Sequence, residues 1–244
     1  MGHIMTYINE CTGVGKTTMT FHTVWCLHQR GYRILVIDFD GQGVTFSSMC
    51  GIEKIEYGKS LYHVLEGTCE VSDALITISK NLEVIPFGIN LSYMQPNVSM
   101  DAFKNFMEEM KDRYDYIFID VNSMPDWRYA LTLSVADYVM IPVDCSKKPA
   151  IVDVCGISNI IDDMQEQFHS DMHVLGLVAN NVDENTWNRD WKAISKYYEL
   201  PMFESNIPVS DVINAFAEGD FNSYQKRKVR LLFDAVVDEM LDKM

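Results

Sequence analysis

The chain has no apolar run approaching the roughly 18 residues that a membrane-spanning helix needs. Its opening residues carry no signal-peptide pattern, so a cytoplasmic location is expected. It also lacks any CxxC pair: Cys11, Cys26, Cys50, Cys69, Cys145 and Cys155 lie scattered. Free thiols in a reducing compartment are expected, rather than disulfides or a zinc site. Basic charge is scarce. With 20 Lys and Arg against 35 Asp and Glu the formal charge is −15, which argues against a surface that coats nucleic acid generally. Any contact with DNA needs a local patch, and one stretch offers it: Lys226, Arg227 and Lys228 with Arg230. No repeat, linker or low-complexity tract divides the chain, so residues 1–244 are read as a single domain.

What is present is a regular alternation. Apolar, β-rich runs at Ile4–Ile8, Ile34–Phe39, Leu82–Pro86, Tyr116–Asp120, Tyr138–Val143 and Val174–Ala179 are separated by segments with helical spacing. Several runs are apolar almost throughout, as strands buried on both faces of a parallel sheet must be. One helical segment carries Phe103, Phe106, Met107 and Met110, and another Ile151, Val154, Ile157, Ile160, Ile161 and Met164. The last places Val229, Leu232, Phe233, Val236, Val237, Met240 and Leu241 on one face. Alternation of this kind predicts βαβ crossovers and an α/β, doubly wound, mostly parallel sheet flanked by helices.

The first strand runs into Asn9-Glu10-Cys11-Thr12-Gly13-Val14-Gly15-Lys16-Thr17-Thr18, and a helix follows. Strand, glycine loop and helix in that order make a phosphate-binding loop informative. Gly13 and Gly15 let the backbone curl so that successive N–H groups, that of Val14 included, face phosphate oxygens. The helix N-terminus adds a positive dipole end. Lys16 is the residue to neutralise β- and γ-phosphates, and Thr17 to ligate Mg²⁺ through its hydroxyl, with Thr18 completing the loop. A glycine turn before an amphipathic helix would show the same glycines, but not Gly-Lys-Thr-Thr with the acidic motifs downstream.

Glu10 stands where the usual P-loop has its first glycine. The loop instead resembles the deviant Walker A motif of the ParA/MinD family of P-loop ATPases, Lys-Gly-Gly-x-Gly-Lys-Thr-Thr, aligned on Cys11 to Thr18. Gly13, Gly15, Lys16, Thr17 and Thr18 match; Cys11 replaces the leading lysine and Thr12 the next glycine. The resemblance continues along nearly the whole chain. Asp38-Phe39-Asp40-Gly41-Gln42-Gly43 is similar to the family's switch I, which implies that Asp40 organises the attacking water and the metal shell. Asp38 then supports metal and loop. Ser60–Leu65 and Leu82–Pro86 resemble the helix and strand that follow. Tyr114–Asp120 resembles the Walker B strand, which implies that Asp120 holds Mg²⁺ through water; Asp115 reads as a solvated turn residue. Leu175–Asn180 aligns with the strand whose closing asparagine contacts adenine, here Asn180 with Asn181 in reserve. Ile207-Pro208-Val209-Ser210 resembles the loop that closes over the base, which places Pro208 there.

The resemblance implies ATP and Mg²⁺ as ligands, ATP hydrolysis, and a homodimer with ATP sandwiched between subunits. In the family the leading lysine reaches the partner's ATP and acts like an arginine finger. With Cys11 there, hydrolysis is slow, or the protein is mainly an ATP-gated dimer switch, or another cation substitutes. Lys147 or Lys148, after the strand ending at Val143, is the candidate substitute; a solvated Lys-Lys pair is the alternative. The acidic polar face of the last helix disfavours a membrane role. The patch Lys226, Arg227, Lys228 and Arg230 matches the region through which ParA-like members bind nonspecific DNA, so partition or cargo positioning with a ParB-like adaptor is expected. A basic first turn balancing an acidic surface is the other reading of that patch. A metabolic enzyme of the same superfamily, resembling dethiobiotin synthetase, and a hydrolysis-poor switch protein remain alternatives.

Overall fold

The computed structural model describes residues 1–40, 45–88, 95–124, 126–146, 159, 161–163, 165–166, 171–183, 200–213 and 227–244. Eight strands form one sheet: β1 (His3–Tyr7), β2 (Ile34–Asp38), β3 (Ile76–Ser79), β4 (Leu82–Pro86), β5 (Tyr116–Asp120), β6 (Tyr138–Asp144), β7 (His173–Val182) and β8 (Met202–Pro208). Their order across the sheet is β3-β4-β2-β5-β1-β6-β7-β8. Every pairing is parallel except β3 with β4. The doubly wound, mostly parallel sheet read from the alternation is what forms.

The central strands bury both faces. In β2, Leu35 and Ile37 enter one core with Ile117 and Ile119 of β5, while Ile34 and Val36 enter the other with Tyr116 and Phe118. Alternate side chains point to opposite faces of a strand, so a strand covered on both sides must be apolar at every position. The first face is covered by α5 (Met100–Lys111) and α6 (Trp127–Val135), through Phe103, Met107, Met110, Leu131 and Leu133. The second is covered by α1 (Lys16–Gln29) and the final helix α7 (Arg227–Lys243), through Phe21, Val24, Leu27, Phe233, Val236 and Met240. His22 of α1 stacks on Phe233 at 4.3 Å between ring centroids. Three short helices, α2 (Phe46–Met49), α3 (Leu61–Leu65) and α4 (Val71–Ala74), lie between β2 and β3.

Four readings are corrected. β3 and β8 were not expected from the sequence. Ile207 and Pro208 end β8, and only Val209 and Ser210 of that predicted loop lie beyond the strand. β7 extends past Ala179 to Val182 and so includes Asn180 and Asn181. Asp115 is not merely solvated, because its Oδ1 pairs with Arg33 Nη2 at 2.7 Å. Most of the helix expected over 151–164 lies outside the described residues.

β1 sits between β5 and β6, with the chain leaving it toward β2 on one side and the later strands on the other. Open α/β sheets bind ligands at such a reversal, beyond the carboxyl ends of the strands. The glycine loop, Asp38, Asp120, Asp144 and Asn180 all fall there.

Candidate functional site

The loop is built on Asn9, which is fully buried at the end of β1. Its Nδ2 donates to the Pro142 carbonyl at 2.9 Å, and its Oδ1 accepts the Cys11 N–H at 2.8 Å. Its own carbonyl accepts the Tyr129 hydroxyl at 2.8 Å. One residue thus ties the loop to β6 through its side chain and to α6 through its backbone. Beyond it the backbone turns through Gly13 at φ 71° and Gly15 at φ 103°, left-handed values that favour glycine. Gly15 is the N-cap of α1; it has no side chain to occupy the first N–H groups, and the first turn carries no acidic residue. Those donors and the positive helix end are therefore directed at whatever anion enters.

They open onto a cavity of about 390 Å³, lined by Gly13, Gly15, Lys16, Thr17 and Thr18 and, opposite, by Asp40, Asn122 and Ser123. Lys16 Nζ donates to the Cys11 carbonyl at 3.0 Å and to Ser123 Oγ at 2.5 Å. Burial pushes its pKa down to about 8, against the opposing charges of Asp120 and Asp40. Asp120, also fully buried, accepts from Thr20 Oγ1 through Oδ1 at 3.3 Å, while Oδ2 has no hydrogen-bond partner among the described residues. Burial and the neighbouring Asp38 and Asp40 charges raise its pKa well above the usual range; Thr17 and Lys16 oppose this. An orphaned buried carboxylate oxygen beside a threonine hydroxyl suits a divalent cation. Among the described residues no group of three His, Cys, Asp or Glu could hold a metal. A shared site using water and phosphate oxygens, as Mg²⁺ prefers, fits this donor set better than an all-protein cage.

Asp38 is engaged differently from Asp120. Its Oδ2 accepts both the N–H and the hydroxyl of Ser47 in α2, and its Oδ1 accepts the Asp40 N–H at 3.1 Å. Burial lifts its pKa to about 6. It fastens α2 and the backbone that carries Asp40, which itself lines the cavity.

The AAA domain family model matches residues 2–174. The sporulation initiation inhibitor protein Soj of Bacillus subtilis is 30% identical over 216 residues, covering 85% of each chain. The chain belongs to the ParA/MinD family of P-loop ATPases. The chromosome-partitioning ATPase Soj of Treponema pallidum is 27% identical, covering 85% of this chain and 83% of its own. Among solved structures, the cell division ATPase MinD of Pyrococcus furiosus superposes over all of both chains with a TM-score of 0.79 at 20% identity. Cobyrinic acid a,c-diamide synthase of Mycobacterium smegmatis, with ATP analog and magnesium bound, gives 0.82 at 24% identity, covering 99% of this chain and 94% of its own.

In this ParA/MinD-family chain the structure brings together Gly13 to Thr18, Asp38, Asp40 and Asp120. Asn180 lies against the loop, its Nδ2 donating to the Val14 carbonyl at 2.9 Å. Pro208, at the end of β8, is two strands from β6 and does not line the cavity. Lys147, Lys148 and Lys226 lie outside the described residues; Arg227 and Lys228 begin α7. Arg230 pairs with Asp234 at 3.2 Å, so part of its charge is already met within the helix.

Three residues that sequence reading passed over prove central: Asn9, Ser123 and Arg128. Arg128 is buried, donates from Nη1 to the Phe39 carbonyl at 3.3 Å, and lies over the Trp127 ring at 5.4 Å. It thereby ties α6 to the segment carrying Asp40. An asparagine closing an apolar strand was a usable signal for Asn9. Nothing local marks Ser123 or Arg128.

Proposed function

We propose that this chain binds ATP with Mg²⁺ in the cavity beyond β1 and works as a ParA-like, nucleotide-dependent partition or positioning switch. The observation that carries the reading is the uncapped start of α1, which opens with Lys16 and Thr17 onto one cavity that Asp40 and Ser123 also line. The amides of residues 13–18 and the Lys16 ammonium bind the β- and γ-phosphates. Thr17 and Asp120 would hold Mg²⁺, which neutralises charge on the phosphate oxygens. Asp40, held by Asp38, orients the water that attacks the γ-phosphorus, and Asp38 acts by holding α2. Phosphoryl transfer of this kind rests on positioning and electrostatics, which is why no nucleophilic side chain is assigned.

The partition reading extends this to an ATP-sandwiched homodimer whose paired basic segments, Lys226 to Arg230, bind DNA without sequence preference and answer to an adaptor protein. The likeness to partition proteins supports it, and the surplus of acidic charge requires the DNA contact to be local and salt-sensitive. Among the described residues no helix is long and apolar enough to cross a membrane.

Gel filtration with ADP, ATP and a non-hydrolysable analogue, followed by DNA binding across a salt series, tests the whole reading. ATP-dependent dimerisation with salt-sensitive DNA binding is the expected result. An ATP-bound monomer indifferent to DNA sinks the partition reading, and turnover only with a small carboxylic acid would make the chain a synthetase. Absence of nucleotide affinity, or affinity unchanged in Lys16→Ala, removes the ATP assignment itself.

A further inference from the structure

We propose that Ser123 is a specificity-determining residue, holding one donor of Lys16 that ATP claims and ADP does not; the inference rests on the loop being a phosphate cradle. An ammonium has three N–H donors. Among the described residues two protein acceptors meet that of Lys16: the Cys11 carbonyl at 3.0 Å and Ser123 Oγ at 2.5 Å. One donor is left for the cavity that Lys16 and Ser123 both line. A diphosphate can be met by that donor alone. A lysine that bridges β- and γ-phosphates needs two, so ATP must displace one of the protein acceptors.

Of the two acceptors, Ser123 lines the cavity and Cys11 does not, so the bond to Ser123 is the one an entering phosphate reaches. Its loss strands no group. Ser123 Oγ also donates to the Cys11 carbonyl at 3.0 Å, closing a triangle of ammonium, hydroxyl and carbonyl. When Lys16 turns away, hydroxyl and carbonyl keep each other, which lowers the cost of release. Ser123 lies three residues past Asp120, in a turn with bonds of its own. Met124 N–H donates to Asn122 Oδ1 at 3.0 Å, and Asp126 N–H to the Met124 carbonyl at 2.8 Å. Asp126 then caps α6, accepting the Arg128 N–H at 2.9 Å, and Arg128 reaches the Phe39 carbonyl beside Asp40. The Ser123 hydroxyl thus joins the phosphate loop to a turn that leads by hydrogen bonds toward Asp40. ATP parts the ammonium from that turn, and ADP leaves the two tied.

A rival for one donor and a merely structural hydroxyl differ in what their loss changes. Calorimetric titration of the full chain with Mg-ADP and a non-hydrolysable Mg-ATP analogue, for wild type, Ser123→Ala and Ser123→Thr, separates them. Alanine removes the competing acceptor, so the ATP analogue should bind about fivefold tighter while ADP affinity stays the same. Threonine keeps the hydroxyl and should keep the wild-type ratio. A structural defect would instead weaken both ligands together. An unmoved ratio in alanine overturns the inference, as does a ratio moved equally by threonine. Weaker binding of the ATP analogue in alanine overturns it too, since Ser123 would then aim Lys16 rather than compete for it. Should alanine fail to fold, hydrogen exchange across residues 121–126 of the wild type decides. Faster exchange with the ATP analogue than with ADP supports release of the turn, and equal exchange overturns it. A wild type that binds neither ligand overturns the cradle reading and this inference together.

Discussion

Raising the pH should release nucleotide through one group, Lys16. Its ammonium is largely buried between the Cys11 carbonyl and Ser123, and burial lowers its pKa from 10.5 to about 8 in the free protein. A bound triphosphate returns it to the protonated form by direct charge attraction. Above pH 8 binding must therefore take up a proton, and each further pH unit weakens it about tenfold, or ~1.4 kcal/mol. Between about pH 7 and about pH 9.5 the dissociation constant should rise roughly thirtyfold. Calorimetric titration of a non-hydrolysable Mg-ATP analogue, in buffers of different ionisation enthalpy, reads both the affinity and the proton uptake. Lys16→Arg, whose guanidinium stays charged, should lose the pH dependence whatever its affinity. A flat profile with no proton uptake in a wild type that binds would refute the reasoning. The same shift acts on folding. The unfolded chain binds more protons between about pH 8 and 10.5, so stability without nucleotide should rise across that window.

Asp120→Asn removes a buried carboxylate that has one oxygen unpartnered. It should raise the melting temperature in chelator by a few degrees while abolishing the extra stabilisation that Mg²⁺ gives with nucleotide; undiminished Mg²⁺ dependence would exclude Asp120 from the metal shell. Cys11→Lys should speed hydrolysis at least about tenfold, measured as phosphate release. The bonds that residue 11 makes to Asn9, Lys16 and Ser123 use its backbone and do not depend on the thiol. An unaltered rate with dimerisation intact would mean that another cation already serves. Gly176→Ala should cost more than about 2 kcal/mol, because φ is 139° and the new Cβ would stand 2.5 Å from the Pro201 carbonyl oxygen. A urea midpoint lowered without a change in slope would report it; an unchanged midpoint would show that β7 can shift.

Six of the eight strands were legible because a central parallel strand must be apolar on both faces. β3 and β8 were not, and both are edge strands. Ile76–Ser79 has no fully buried residue, and Met202–Pro208 buries only Phe203 and Ile207 while carrying Glu204, Ser205 and Asn206. With a single neighbour each, they are specified by the sheet that accepts them more than by their own composition.

The chemistry divides in a similar way. Sequence alone determined that a glycine loop between strand and helix would carry Lys16 and Thr17, since consecutive residues create that local geometry. It also placed acidic residues at the ends of two later strands. Tertiary structure alone decided what those groups meet: Ser123 beside Lys16, an unpartnered oxygen on Asp120, Asp38 spent on α2, and Asn180 on a carbonyl 166 residues away in the chain. A side chain's partner across a sheet depends on strand order and register, and neither is written in any local stretch of residues.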